Sequence, residues 1–149
     1  MRSAMVCVDF SDITDCVLEQ SIRLARGLNC SIHLLHVMHG ENFVMYSPGG
    51  FGSVVPAGAI ALERDLQTET ARLQALANEV QRYEVHAEMS VREGKAITEI
   101  LAEAERIEPD IIVMGSHGHG ALYELLVGSV TDGVLRQARM PVMVVPARK

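Results

Sequence analysis

Cysteine is scarce in this chain, and long apolar runs are missing. The three cysteines, Cys7, Cys16 and Cys30, form no C-x-x-C pair, and no cluster of Cys or His shows the spacing of a zinc site. The first residues, Met1 to Asp9, have neither the length nor the small-residue cleavage pattern of a signal peptide. An odd cysteine count without such a leader reads as reduced thiols, so a cytoplasmic protein is expected. No stretch approaches the ~20 apolar residues that a membrane span requires, and no membrane partner is expected. A strong charge of one sign is absent too: 13 Lys and Arg stand against 19 Asp and Glu, a net charge of −6 spread along the chain. That excludes nucleic acid as an expected partner. It leaves room for one small bound nucleotide, whose phosphates backbone N–H groups can hold. Two phosphate motifs are also missing. There is no G-x-x-x-x-G-K-[ST] loop, and "DFSDIT" stands after the first strand where a dinucleotide fold of the usual kind carries G-x-G-x-x-G.

What is present is a chain of 149 residues, 48% apolar, the size of one domain that buries roughly 70% of its unfolded surface. Neither a second domain nor an internal repeat is evident, so residues 1–149 are read as a single domain. Ala4 to Asp9 is a short Val-rich run and reads as a buried strand. Ser11 or Asp12 is the candidate N-cap of a helix with Leu18, Ile22, Ala25 and Leu28 on one face, stopping at Asn29. Ser31 to Met38 is a second strand. Residues 39–58 hold most of this half's turn formers and read as a long functional loop. A helix follows with Leu62, Leu66, Leu73, Leu76 and Val80 on one face. Val85 to Val91 alternates and reads as an edge strand broken by Gly94. Ile97 to Ile107 is helical and ends near Pro109. Ile111 to Met114 is a fourth strand, Val130 to Ala138 a last helix, and Val142 to Val145 a fifth strand between Pro141 and Pro146.

Strands that alternate with helices build a parallel, doubly wound α/β sheet with helices on both faces. Ligands of such sheets sit beyond the carboxyl ends of the strands, where strand order reverses. That points to Asp9, to Val37 and Met38, and to Gly115. In "DIIVMGSHGHGALYELLVGSVTDGVL" the fourth strand runs into Gly115 and Gly118, and Gly128-Ser129 opens the last helix. Glycine permits positive φ and close approach to the backbone. The first N–H groups of a helix lack internal partners and carry partial positive charge, so a phosphate fits there. Ser129 adds a hydroxyl donor and Thr131 another. Singly, these glycines could serve only to turn the chain and Ser129 only to cap a helix. Together, at the end of a central strand, they read as a phosphate cradle.

The spacing Gly115-x2-Gly118-x9-Gly128-Ser129 resembles the ATP-binding signature of the universal stress protein family. "VCVDFSD", "LLHV", "DIIVMGSHG", "LLVGSVTDGVL" and the terminal "PVMVVP" resemble it as well, from Met5 to Pro146. The resemblance implies a five-stranded parallel sheet in the order 3-2-1-4-5, with ATP between strands one and four. It implies that Asp9 accepts hydrogen bonds from ribose hydroxyls and that Val8 and Val37 flank adenine, the Val37 backbone reading its edge. Met114, Gly115, His117 and Gly118 would line the ribose and phosphate turn. Gly128, Ser129, Val130 and Thr131 would hold the β- and γ-phosphates, with Mg²⁺ bridging phosphate oxygens. His119 stands where many members have Arg, which removes a permanent charge beside the phosphates. The family also pairs two protomers through the last strand. "VMVV" would be an apolar sheet edge, so a homodimer through Val142–Val145 is expected; the alternative is an edge blunted by Pro141, Pro146 and the "ARK" tail.

The function implied is that of an ATP-binding, nucleotide-dependent stress-response regulator rather than an efficient catalyst. The loop at 39–58 would report occupancy, to an unidentified protein partner among other means. One alternative is slow ATP hydrolysis or autophosphorylation on Ser129 or Thr131. No water-activating carboxylate stands near the glycine turn in sequence, and His117 is the remaining base. Another alternative is a dimeric interaction module that binds no nucleotide. A phosphoacceptor role for Asp9, as in response-regulator receivers, lacks the acidic pair and the strand-five Lys. His33 and His36, three apart on strand two, should face opposite ways as ordinary surface or supporting residues. Cys7 and the methionines Met38, Met45 and Met114 read as core filling.

Overall fold

The computed structural model describes residues 2–38, 57–116 and 127–146, and the side chains of these except 57–64. Nine elements follow in order: β1 (Ser3–Cys7), α1 (Thr14–Leu28), β2 (Ser31–Met38), α2 (Ala57–Gln81), β3 (Ala87–Glu93), α3 (Ala96–Ile107), β4 (Ile111–Gly115), α4 (Ser129–Gln137) and β5 (Val142–Val145). The strands form one five-stranded sheet in the order β3-β2-β1-β4-β5, every pairing parallel. This is the single α/β domain and the strand order that the sequence led us to expect. The order reverses at β1, so the carboxyl ends of β1 and β4 diverge and leave a crevice.

Two apolar layers hold the sheet. Ala4, Val6, Ile32, Leu34 and Val113 face α1 and α2, where they meet Val17, Leu18, Ile22, Leu73 and Val80. Met5, Leu35, Ile112 and Met114 face the other way, against Ile100 and Ala104 of α3 and Val134 of α4. The central strands are thus buried on both sides, which explains their unbroken apolar runs. Asn29 takes the left-handed conformation, φ 50°, and ends α1 as a C-cap. Gly94, at φ +147°, ends β3 and donates its N–H to the Met38 carbonyl at 3.0 Å.

Several local expectations are corrected. β1 stops at Cys7, so Val8 and Asp9 belong to the turn that follows. Neither Ser11 nor Asp12 caps α1: the helix begins at Thr14, with Ile13 at its N-cap and no side-chain cap. β3 begins at Ala87 rather than Val85 and runs on to Glu93. Leu66 is exposed although it shares the apolar stripe of α2. The loop expected at 39–58 loses Ala57 and Gly58 to α2, and its residues 39–56 lie outside the described residues.

His33 and His36 do face opposite ways, but both are buried. His33 belongs to an ionic network centred on Glu103 of α3, which is 1% exposed. Glu103 accepts from Arg92 (2.5 Å), Arg106 (2.7 Å) and the Ser90 hydroxyl (2.7 Å). Ser90 gives its only proton to Glu103, so the His33 Nε2–H donates to the Ser90 oxygen at 2.8 Å. Arg106 first, then Ser90 and Arg92, hold the Glu103 carboxyl well below the usual range, against the effect of burial. An acidic residue in the Ile100–Ala104 stripe is the signal that sequence inspection passed over.

Candidate functional site

The crevice at the switch point has a volume of about 720 Å³. From the β1–α1 turn it is lined by Val8, Asp9, Ile13 and Thr14, and from β2 by Leu35, His36 and Val37. Met114 and Gly115 come from β4, and Gly128, Ser129, Val130 and Thr131 from the start of α4. Every described residue singled out above for the site lines this one crevice. His117 and Gly118, like His119, lie outside the described residues.

Each part is held by identifiable bonds. The Val8 N–H continues the ladder to the Leu35 carbonyl at 2.9 Å, and its own carbonyl accepts from His36 Nδ1 at 2.8 Å. A carbonyl can only accept, so Nδ1 carries the proton and Nε2 faces Glu69 at 3.7 Å. Phe10 then takes a left-handed conformation, φ 57°, which is costly for a bulky residue and needs support. Its ring has that support from His36, 4.5 Å away between centroids, and from the Arg72 guanidinium 4.0 Å above it. The turn projects Asp9 outward, where its Oδ1 accepts from both the N–H (3.0 Å) and the hydroxyl (2.6 Å) of Ser11. Ser11, expected as a cap, is thus an anchor for Asp9.

On the opposite side, the Gly128 N–H donates to the Ser116 carbonyl at 2.6 Å and fixes the entry to α4. The N–H groups of Ser129, Val130 and Thr131 form the first turn, where helical geometry gives them no internal acceptor. Ser129 is exposed, while Thr131 is buried and donates its hydroxyl to the Gly115 carbonyl at 2.8 Å. That proton is therefore engaged inside the protein, and the Thr131 backbone N–H is the group left to meet a ligand. Gly115 itself pairs with Val145 as an ordinary strand residue, and Gly128 has φ −59°. The positive φ that glycine permits is used at neither position.

The floor is apolar: Leu35, Ile100 and Met114 are buried on it. Cys7 lies there too, with burial pushing its thiol up to about 12, so it is no nucleophile near neutral pH. One polar atom is out of place in this floor. Thr14 Oγ1 is buried without a hydrogen-bond partner, on a residue that is 6% exposed and lines the crevice. Asp65 and Glu69 of α2 complete the wall beside Asp9, and none of the described lining residues is Lys or Arg. Sequence reading missed Thr14 and His36 as lining residues, and it missed Asp65 and Glu69 because α2 reaches the crevice only through the tertiary fold. Among the described residues no three His, Cys, Asp or Glu stand close enough together to hold a metal ion. No helix among them is long and apolar enough to cross a membrane.

The profile of the universal stress protein family matches residues 1–146. This chain belongs to the universal stress protein family. Among its relatives is the universal stress protein MJ0531 of Methanocaldococcus jannaschii, 27% identical over 148 residues, 99% of this chain and 84% of that one. The solved structure of MJ0577 superposes with a TM-score of 0.82 at 26% identity, covering 99% of this chain and 97% of the other. Two more distant structures share the fold. One, from Archaeoglobus fulgidus, is in complex with dAMP (TM-score 0.62, 20% identity, 97% and 98% coverage). The other is in complex with cAMP (TM-score 0.72, 16% identity, 99% and 98% coverage).

Proposed function

We propose that this universal stress protein binds an adenine nucleotide, ATP with Mg²⁺ in the first instance, in the switch-point crevice, and that occupancy regulates its partners rather than driving efficient catalysis. One observation carries this: Val8, Asp9, Val37, Met114, Gly115 and Gly128 to Thr131, far apart in sequence, line one crevice whose α4 end offers N–H groups with no acceptor inside the helix. Solved relatives in complex with dAMP and cAMP support the ligand class. In this arrangement the floor takes the base between Val8 and Val37, Asp9 accepts from the ribose hydroxyls, and the α4 N–H groups and Ser129 hold phosphate. His117 and Gly118 complete the turn.

Slow hydrolysis is the second reading, favoured by the two carboxylates, Asp65 and Glu69, that share the crevice. Calorimetric titration with Mg²⁺-ATP, beside a Gly128→Ala, Ser129→Ala double variant, tests the proposal. Saturable binding that the variant loses is expected. No heat and no shift in melting temperature at millimolar ATP would sink it and leave a dimeric interaction module. Phosphate release measured on the same samples separates regulator from enzyme.

A further inference from the structure

We propose that the crevice selects its nucleotide by charge, taking cyclic or monophosphate nucleotides unaided and a triphosphate only when a divalent cation accompanies it. This rests on the nucleotide reading above and narrows it to a ligand class.

The described donors available to phosphate are neutral. They are the N–H groups of Ser129, Val130 and Thr131, the Ser129 hydroxyl, and a helix end worth about half a positive charge. Against them stand three carboxylates on the wall, Asp9, Asp65 and Glu69. Arg72, on the same helix as Asp65 and Glu69, is engaged twice over: it pairs with Glu69 at 3.1 Å and covers the Phe10 ring at 4.0 Å. Lys95 precedes α3 as an exposed N-cap and does not line the crevice. The sequence supplies few cations to the connections between these elements. Residues 27–63 contain no Lys or Arg, and neither do residues 107–135. In sequence these stretches include everything that joins β2 to α2 and β4 to α4.

A second feature points to a ligand that is recognised by polarity and not by charge. The Thr14 hydroxyl is buried in the wall without a partner, a neutral donor and acceptor in position to meet a base or ribose atom. A metal-free triphosphate carries about four negative charges, a cyclic monophosphate one. At roughly 10 Å in screened water each added pair of like charges repels only weakly, and over several pairs this gives a discrimination of about tenfold.

The test is competitive titration with adenosine, cyclic AMP, AMP and ATP at low ionic strength, each in EDTA and in Mg²⁺. In EDTA, ATP is expected to bind about tenfold more weakly than cyclic AMP. Mg²⁺ should restore ATP and leave cyclic AMP where it was. The gap should close as salt approaches 0.5 M, about where the screening length falls toward 4 Å. Asp65→Asn, at an exposed position, should raise the ratio of metal-free ATP to cyclic AMP affinity by about threefold. Metal-free ATP binding as tightly as cyclic AMP would overturn the proposal, as would a gap indifferent both to salt and to Asp65→Asn. Adenosine separates the two levels: if it binds and the charge ranking is absent, only this inference fails. If no adenine compound binds at all, the nucleotide reading fails with it.

Discussion

The Thr131 hydroxyl donates to the Gly115 carbonyl at 2.8 Å, and this bond ties the first turn of α4 to the last residue of β4. It sets the direction in which the α4 N–H groups point. Thr131→Val keeps the shape and leaves the carbonyl without its donor. We expect a loss of about 1 to 2 kcal/mol in stability and a larger loss of nucleotide affinity than of stability, since the cradle is no longer aimed. Thr131→Ser should recover most of both. Equal losses, read by thermal melting beside ligand titration, would mean the bond is structural only.

Thr14 gives the opposite sign. Its buried hydroxyl has no partner, and an unsatisfied group of this kind destabilises by roughly 1 to 3 kcal/mol. Thr14→Val should therefore raise the melting temperature of the ligand-free protein and weaken nucleotide binding. A variant that melts lower, or binds as tightly as the wild type, would show that the hydroxyl has no part in recognition.

The Glu103 network makes stability depend on acid. Its folded pKa lies below the ordinary carboxylate value near 4.3. Its contribution is then fully present above that value and is lost as pH falls through the lower folded pKa. Glu103→Gln should cost about 2 to 3 kcal/mol at pH 7, toward the low end for a buried pair because both arginines reach water. It should also flatten the fall in stability between about pH 5 and pH 2. Urea midpoints at several pH values would show whether the two curves converge in acid, as expected, or run parallel.

Pairing through β5 can be tested at one backbone group. Ile112 donates to the Pro141 carbonyl and Ser116 to the Val145 carbonyl. The parallel ladder therefore uses the N–H groups of Met143 and Val145 toward β4 and turns those of Val142 and Val144 outward. Val144→Pro removes an outward donor and spares the inner ladder. If protomers pair by this edge, sedimentation should show the wild type as a dimer and this variant as a monomer with little change in melting temperature.

Much of the architecture was legible because local chemistry and tertiary structure agreed. β2 and β5 begin and end where the apolar runs do, and Asn29 marks the end of α1 because a left-handed residue is needed there. The strand ends that build the crevice were legible from alternation, except that β1 stops at Cys7 rather than Asp9. The order of the strands came from family resemblance. What escaped was set by contacts between distant elements. Glu103 is buried because Arg92, Arg106 and Ser90 arrive from β3 and its own helix to satisfy it. Ser11 does not cap α1, because the Asp9 carboxylate engages its hydroxyl. Asp65 and Glu69 read as ordinary solvated positions on a helix face until the fold brings α2 over the crevice.

The two borders of the sheet are chemically unlike. β3, at one border, carries Glu88, Ser90 and Arg92 on alternate positions, drawn into the Glu103 network or into water. β5, at the other, is Val-Met-Val-Val. Charge along a border strand discourages further strands from adding, while an apolar one invites them. A molecule built in this way can join one copy of itself back to back and then has no second adhesive border to offer. If protomers pair through β5, growth by strand addition ends at two, and the apolar border is covered before it can make the chain the unit of a fibre.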